Sequence, residues 1–267
     1  MNRILFRFGG IEIHAYGLMI TLAFVAWILL GMLRAKKRDI EPDHIIHLSF
    51  IVFFAAAIGA RLFFIAIHAN HLNSFWNETI RTFSLVTVGV KGISMIGGVL
   101  LALVAITLYC TFRKIPLFRL LDIMAPPFGI GLFISRVGCF LNGCCFGKPC
   151  ELPWCMEFPL DSPAGLRFPD IAIHPTQLYA ALSGLLMALI LFLLDRKPRF
   201  DGFLFCLLGI MFGISRLIIE PFGYNSLHES LSSNQILSVT IICLTAALYV
   251  LLKRNRLPKN GSKECVE

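Results

Sequence analysis

Apolar residues run along this chain in long unbroken stretches, with charged residues gathered in the short gaps between them. A helix needs about 20 predominantly apolar residues to cross a bilayer. Seven stretches reach that length, over about 14–33, 45–67, 92–112, 121–142, 173–194, 202–220 and 235–252. Each is expected to be helical, because lipid cannot satisfy exposed backbone N–H and C=O groups. Pro126-Pro127 falls inside the fourth stretch, where two missing amide donors predict a kink or a break. The fold class expected is an all-α integral membrane protein, one membrane domain over 1–267 with seven transmembrane helices.

Composition agrees. Of 267 residues, 57% are hydrophobic and 15% charged, against about 25% charged in average soluble domains. That excludes a disordered chain, a coiled coil and an ordinary soluble enzyme. The net charge of +8 is read through its distribution rather than as a nucleic-acid footprint. The segments 34–44, 113–120, 195–201 and 253–267 carry 15 basic residues, against 6 in 1–13, 68–91, 143–172 and 221–234. The positive-inside rule then predicts the N-terminus outside and the C-terminus in the cytoplasm. The first apolar run ends in Arg34-Ala35-Lys36-Lys37-Arg38, a stop signal rather than a cleavage site, so no removable signal peptide is expected. Outside, 143–172 is expected to form a small cap and 68–91, with Trp76, an interfacial arm.

Three basic residues lie within the spans: Arg61, Arg136 and Arg216. With this orientation all three fall at the depth of the outer leaflet. An Arg at a helix centre costs at least about 2.5–3.5 kcal/mol on insertion scales, so three at one level call for anionic partners. Snorkelling to headgroups is the plain alternative, and Glu220, one turn after Arg216, offers one internal counter-charge. Phosphate suits the planar donor fork of Arg, and at that depth a phospholipid headgroup is its most abundant source. Other polar residues reach the same level: His14 and Tyr16 opening the first span, Gly97-Gly98 in the third, Asn142 and Gly143 closing the fourth, and His174 opening the fifth. Together they predict a polar cavity open to the outer leaflet.

Five of nine cysteines fall between 139 and 155, at 139, 144, 145, 150 and 155. The gaps match no standard zinc finger and contain no Cys-x-x-Cys pair. Structural thiols or disulfides, unpaired packing residues, and metal or redox chemistry all stay open. No cofactor or metal site is expected.

His14-Ala-Tyr16-Gly, Gly92-x-Ser-x-x-Gly97-Gly98, Arg136-x-Gly-x-Phe-x-Asn142-Gly143, His174-Pro-Thr-Gln-Leu-Tyr179 and Arg216-x-x-x-Glu220 follow one another in order. This series resembles the prolipoprotein diacylglyceryl transferases of bacteria. The resemblance implies an enzyme of the cytoplasmic membrane that moves the diacylglyceryl group of phosphatidylglycerol onto the lipobox cysteine of prolipoprotein signal peptides. A thioether forms and glycerol phosphate leaves. It implies Arg136 as the phosphatidylglycerol contact and Arg216 and Tyr16 as residues of turnover. Asn142, Gly143, Gly147 and Arg61 join the expected binding residues, and Glu220, His174 and His14 the catalytic ones. Ile96 stands where the family usually has His, and Cys139, Cys144, Ala180 and Gly223 also depart from its pattern. The expected partners are phosphatidylglycerol, prolipoprotein signal peptides and membrane lipids, with no nucleic acid. The rival readings are a relative with changed or lost activity, a transporter, and a membrane thiol-redox protein.

Overall fold

The structure, a computed structural model, describes residues 4–8, 11–67, 95–196, 200–224 and 233–256. A two-stranded antiparallel hairpin, β1 (Ile4–Phe8) and β2 (Ile11–His14), precedes α1 (Ala15–Lys36). The helices that follow are α2 (Pro42–Ile67), α3 (Met95–Arg113), α4 (Leu117–Asn142), the single turn α5 (Pro163–Arg167), α6 (Thr176–Leu194), α7 (Phe203–Ile219) and α8 (Ser233–Arg256). Six of them (α1, α2, α4, α6, α7 and α8) are long and apolar enough to cross a membrane. The apolar run of α3, Gly97–Arg113, is shorter. The hairpin departs from the all-α expectation. Its signal was the alternation Ile4-Phe6-Phe8 and Ile11-Ile13 around Gly9-Gly10, a sequence pattern that favours a two-residue turn. The expected interfacial arm, 68–91, and Gly92-Ile93-Ser94 lie outside the described residues.

Large apolar side chains are exposed along the helices, and several polar side chains are buried. Leu33, Leu182, Ile218 and Leu244 are each more than 60% exposed, while Asp122, Gln177 and Glu220 are buried. A soluble protein reverses this arrangement, and hydrocarbon solvent explains it.

The chain divides into two compact units, 35–117 and the remainder. In the first, α2 and α3 pack through small residues. A Cβ at Gly59 or Gly97 would collide with the facing backbone or side chain, and one at Gly98 would come within 3.0 Å of the Ala56 carbonyl oxygen. Close approach of this kind supplies the dispersion contact that holds helices together in lipid. Gly97-Gly98 therefore has a packing role.

In the second unit, α4 and α6 cross where a Cβ at Gly129 would meet the Gly184 carbonyl oxygen at 2.7 Å. Ala125, Met187, Leu191, Phe203, Leu204 and Leu208 form the apolar core between α4, α6 and α7. The predicted break in α4 does not occur, and the helix continues through Pro126 and Pro127, both fully buried. The prolines withhold the amides that would have bonded to the carbonyls four residues earlier, those of Asp122 and Ile123. Arg34 supplies both donors: Nη2 lies 3.0 Å from the Asp122 oxygen and Nε 2.8 Å from the Ile123 oxygen. The same guanidinium donates to both carboxylate oxygens of Asp195, at 2.6 and 3.1 Å. Arg34 thus belongs to the buried frame and not, as its sequence position indicates, to a basic flank. The Asp122 carboxylate caps α7 by accepting from the Gly202 and Phe205 amides, at 2.8 and 2.9 Å.

Removing one partner of a buried ion pair is costly. Arg34→Met is expected to lower stability by about 3 kcal/mol, the low end for such pairs, because Asp195 is partly exposed. In a Pro126→Ala/Pro127→Ala background the loss should shrink, since helical amides again reach both carbonyls. Thermal unfolding of the four proteins in detergent, read as a double-mutant cycle, measures the coupling.

Candidate functional site

At its C-terminal end α4 carries Arg136, Gly138, Cys139 and Asn142, and the chain then reverses sharply. Gly143 takes φ +69°, and Cys145 takes φ +58°. The Cys144 amide bonds back to the Cys139 carbonyl at 3.1 Å. Gly143 is required twice over, by its left-handed backbone and because a Cβ there would meet Ser162 Cβ at 2.7 Å. Gly147 has an equally local reason. A Cβ there would lie 2.6 Å from both His174 Cβ and the Phe222 carbonyl oxygen.

The segment after this reversal, over the stretch expected to form a cap, is a small folded unit. It is held by the Cys150–Cys155 disulfide, by α5 with Ser162 as its N-cap, and by a small core of Phe158, Ala164 and Ile173. Backbone hydrogen bonds stitch it to the ends of two helices. Gly147 N donates to His174 O at 3.1 Å, His174 N to Lys148 O at 3.0 Å, and Lys148 N to Phe222 O at 2.9 Å. Thr176 and Gln177, in the first turn of α6, donate to the Cys145 and Cys144 carbonyls, both at 2.9 Å. Arg167 reaches the Tyr224 hydroxyl at 2.8 Å and lies over its ring. The ends of α4, α6 and α7 are thereby fixed around one small folded segment.

Three groups of polar side chains result. Tyr16 packs its ring toward Gly138 and lies within the field of Arg136 and of Cys139, Cys144 and Cys145. The sulfurs of those three cysteines lie within 4.8 Å of one another. The neighbouring Cys139 and Cys144 thiols, with the Arg136 guanidinium beside them, hold the Cys145 thiol well below its ordinary range. Asn142 stands beside Cys144. In the second group Arg216, half-buried, donates to buried Glu220 at 3.0 Å. In the third, buried His174 stands 3.2 Å from the Tyr179 hydroxyl, with the Phe222 ring centred 5.0 Å away.

The predicted site residues therefore divide. Tyr16, Arg136 and Asn142 come together, with the cysteines at their centre. Glu220 pairs with Arg216 as its spacing predicts, and their helix end is tied by Phe222 to the cap. His174 is packed against Tyr179 and Phe222, and its ring lies within 4.8 Å of the disulfide sulfurs. His14 is exposed at the entry to α1, and Arg61 is half-buried on α2 in the unit 35–117. Gln177, Thr176 and Tyr224 join these contacts unforeseen. The first two stand in the His174-to-Tyr179 run, where a buried polar pair just inside an apolar span was the available signal.

Guanidinium groups held at helix ends among apolar faces suit a ligand that is anionic at one end and lipid at the other. A sequence model of the prolipoprotein diacylglyceryl transferase family matches residues 3–251. The chain belongs to that family. Among curated relatives, the phosphatidylglycerol–prolipoprotein diacylglyceryl transferase of Clostridium tetani is 31% identical over 249 residues, covering 91% of this chain and 95% of its own. That of Campylobacter curvus is 32% identical, covering 94% and 93%. That of Synechococcus elongatus is 31% identical, covering 89% and 83%. The match to the diacylglyceryl transferase family thus takes in the described fold up to residue 251, including the segment after Gly143.

Burial, and then the charge of Lys148, push the His174 pKa below its ordinary value. Both effects disfavour imidazolium. The folded protein therefore keeps His174 neutral at a pH where the unfolded chain, with a pKa of about 6.5, is already taking up its proton. Acidification through that window destabilises the fold. An NMR titration of the histidine ring carbons should place His174 below 6.5, with Lys148→Met moving it upward.

Proposed function

We propose that this protein transfers the diacylglyceryl group of phosphatidylglycerol to the thiol of the lipobox cysteine in prolipoproteins. Membership of the transferase family over 3–251 carries the reading. The chemistry is a displacement. The acceptor thiol loses its proton, its sulfur bonds to the terminal glyceryl carbon, the carbon–oxygen bond to phosphate breaks, and glycerol phosphate leaves with the bonding electrons. Two tasks follow for the protein: to raise the thiolate fraction of the acceptor and to stabilise the departing phosphate. Cationic side chains serve both.

Arg136, at the end of α4, is assigned to the headgroup phosphate, with Tyr16 and Asn142 orienting it. Arg216, set by Glu220, is assigned to the charge that develops on departure. Gly143 and Gly147 serve by shaping the turn and the cap strand that hold Arg136 and His174 in place. His174, neutral at pH 7, and His14 are the imidazoles assigned to the acceptor's proton, since Ile96 offers no base. The chain crosses the bacterial cytoplasmic membrane seven times, N-terminus outside, so the site faces the outer leaflet. Both acyl chains stay in the bilayer, and the acceptor cysteine arrives at the same depth on its signal helix.

Purified protein in detergent, supplied with phosphatidylglycerol and a lipobox peptide, should yield the diacylglyceryl thioether by mass with Cys at the acceptor and nothing with Ser. Arg136→Ala should cut the rate by about 10²–10³-fold, the range for losing a preorganised charge-stabilising donor. Full transfer by Arg136→Ala would overturn the assignment. Absence of product from the parent, with phosphatidylglycerol still bound, would point to a family member using another acceptor. Glu220→Gln should lower turnover and also lower the thermal midpoint, because half-buried Arg216 loses its charged partner, whereas Arg136→Ala should lower turnover with the smaller stability loss.

A further inference from the structure

We propose that Cys139, Cys144 and Cys145 bind one thiophilic closed-shell metal ion, Zn²⁺ or Cu⁺. The sequence spacing argued against a zinc finger, because fingers draw their ligand pairs from short knuckles. Here the curvature comes from a helix end. The left-handed turn at Gly143 carries Cys144 and Cys145 back over the last turn of α4, where Cys139 waits, and brings all three sulfurs within 4.8 Å of one another. Zn–S bonds of about 2.3 Å in tetrahedral geometry hold sulfurs roughly 3.8 Å apart, a spacing this cluster reaches with small side-chain rotations. None of the three is paired in a disulfide, whereas Cys150 and Cys155 are.

The surroundings are those of a supported site. The carbonyls of both turn cysteines are held by side chains of the first turn of α6, Thr176 on Cys145 and Gln177 on Cys144, and the Cys144 amide is held by the Cys139 carbonyl. Such outer contacts fix ligand geometry before an ion arrives. Gln177 is wholly buried, and its Oε1 has no hydrogen-bond partner, leaving an acceptor on the amide that holds Cys144. Cys139 is buried and Cys145 exposed, so the cluster has a closed floor and an open mouth.

Charge and ligand type narrow the ion. Three thiolates around a divalent ion carry one net negative charge, and the Arg136 guanidinium beside Cys145 balances it. The donor set is sulfur alone, with no carboxylate or imidazole in the group, which selects against Mg²⁺, Ca²⁺ and Mn²⁺. Binding releases whatever thiol protons remain, with no change in oxidation state. A bound ion would lock the reversal after α4 and so fix the approach of Arg136. The cluster borders the residues assigned to transfer, but metal binding is read directly, so its outcome does not depend on that of the transfer reading.

The test uses the full chain in detergent, freed of metal with a chelator under argon. Titration with Co²⁺ should give thiolate-to-metal charge-transfer absorption and tetrahedral ligand-field bands that saturate at one equivalent. Zn²⁺, or Cu⁺ delivered from a colourimetric chelator, should displace it. Cys139→Ser, Cys144→Ser and Cys145→Ser should each weaken binding by at least about tenfold, while Cys206→Ser leaves it unchanged. Cys145 is exposed, so Cys145→Ser tests the site without disturbing the core. Three titratable thiols with no metal bound would overturn the proposal, as would a disulfide between two of the three in natively purified protein, or equal binding by the Cys139→Ser/Cys144→Ser/Cys145→Ser variant.

Discussion

One guanidinium holds the interior of the larger unit together. Arg34 donates to the two carbonyls that Pro126 and Pro127 leave without amides and to both oxygens of Asp195. In water those carbonyls would find solvent, and in hydrocarbon each left alone would cost several kcal/mol. The prolines and the arginine therefore form one device in two places along the chain. The prolines open α4, and Arg34 enters the opening. Asp195, at the C-cap of α6, and the Asp122 carboxylate, capping α7, then bring two more helices to the same point. Four helices meet at a knot of hydrogen bonds in which every charge has a partner.

From that fixed end α4 rises to the other, where the candidate site is assembled by different means. No comparable buried ion pair spans the helices there among the described residues. The cap, a short disulfide-closed fold, ties the ends of α4, α6 and α7 by backbone hydrogen bonds. This leaves side chains available. Arg136 and Arg216 lean on Cys145 and Glu220 rather than on carboxylates of other helices. The two ends thus differ in kind: one consumes its charges in structure, and the other keeps them exposed enough to meet a ligand.

Much of this was legible in the residues. Long apolar runs locate the helices because hydrocarbon tolerates little else, and the observed α1, α4, α6 and α7 begin and end within a few residues of the expected positions. Arg216 and Glu220 pair because i and i+4 share a helix face. The failures have physical causes as well. Pro126-Pro127 reads as a break only if the orphaned carbonyls have no donor, and the donor lies 88 residues away from Asp122 at Arg34. Arg34 itself, inside a cluster of Lys and Arg, gives no local sign of burial. The cysteine cluster was hidden because its geometry depends on the φ of Gly143, and spacing rules assume other turns. The strands of the hairpin before α1 are only five and four residues long, too short for their alternation to stand out beside span-length apolar runs.

The distance along the chain between Arg34 and its partners also dictates an order of events during synthesis. Asp195 is made 161 residues after Arg34. At an elongation rate of about 5–20 residues per second, α1 leaves the ribosome roughly 8–30 s before its counter-ion exists. For that interval the guanidinium must rest at the water boundary or against the insertion machinery, and α1 can settle to its final depth only when α6 arrives. A helix made before its counter-ion is therefore seated only after that counter-ion arrives, and the membrane itself serves as its waiting room.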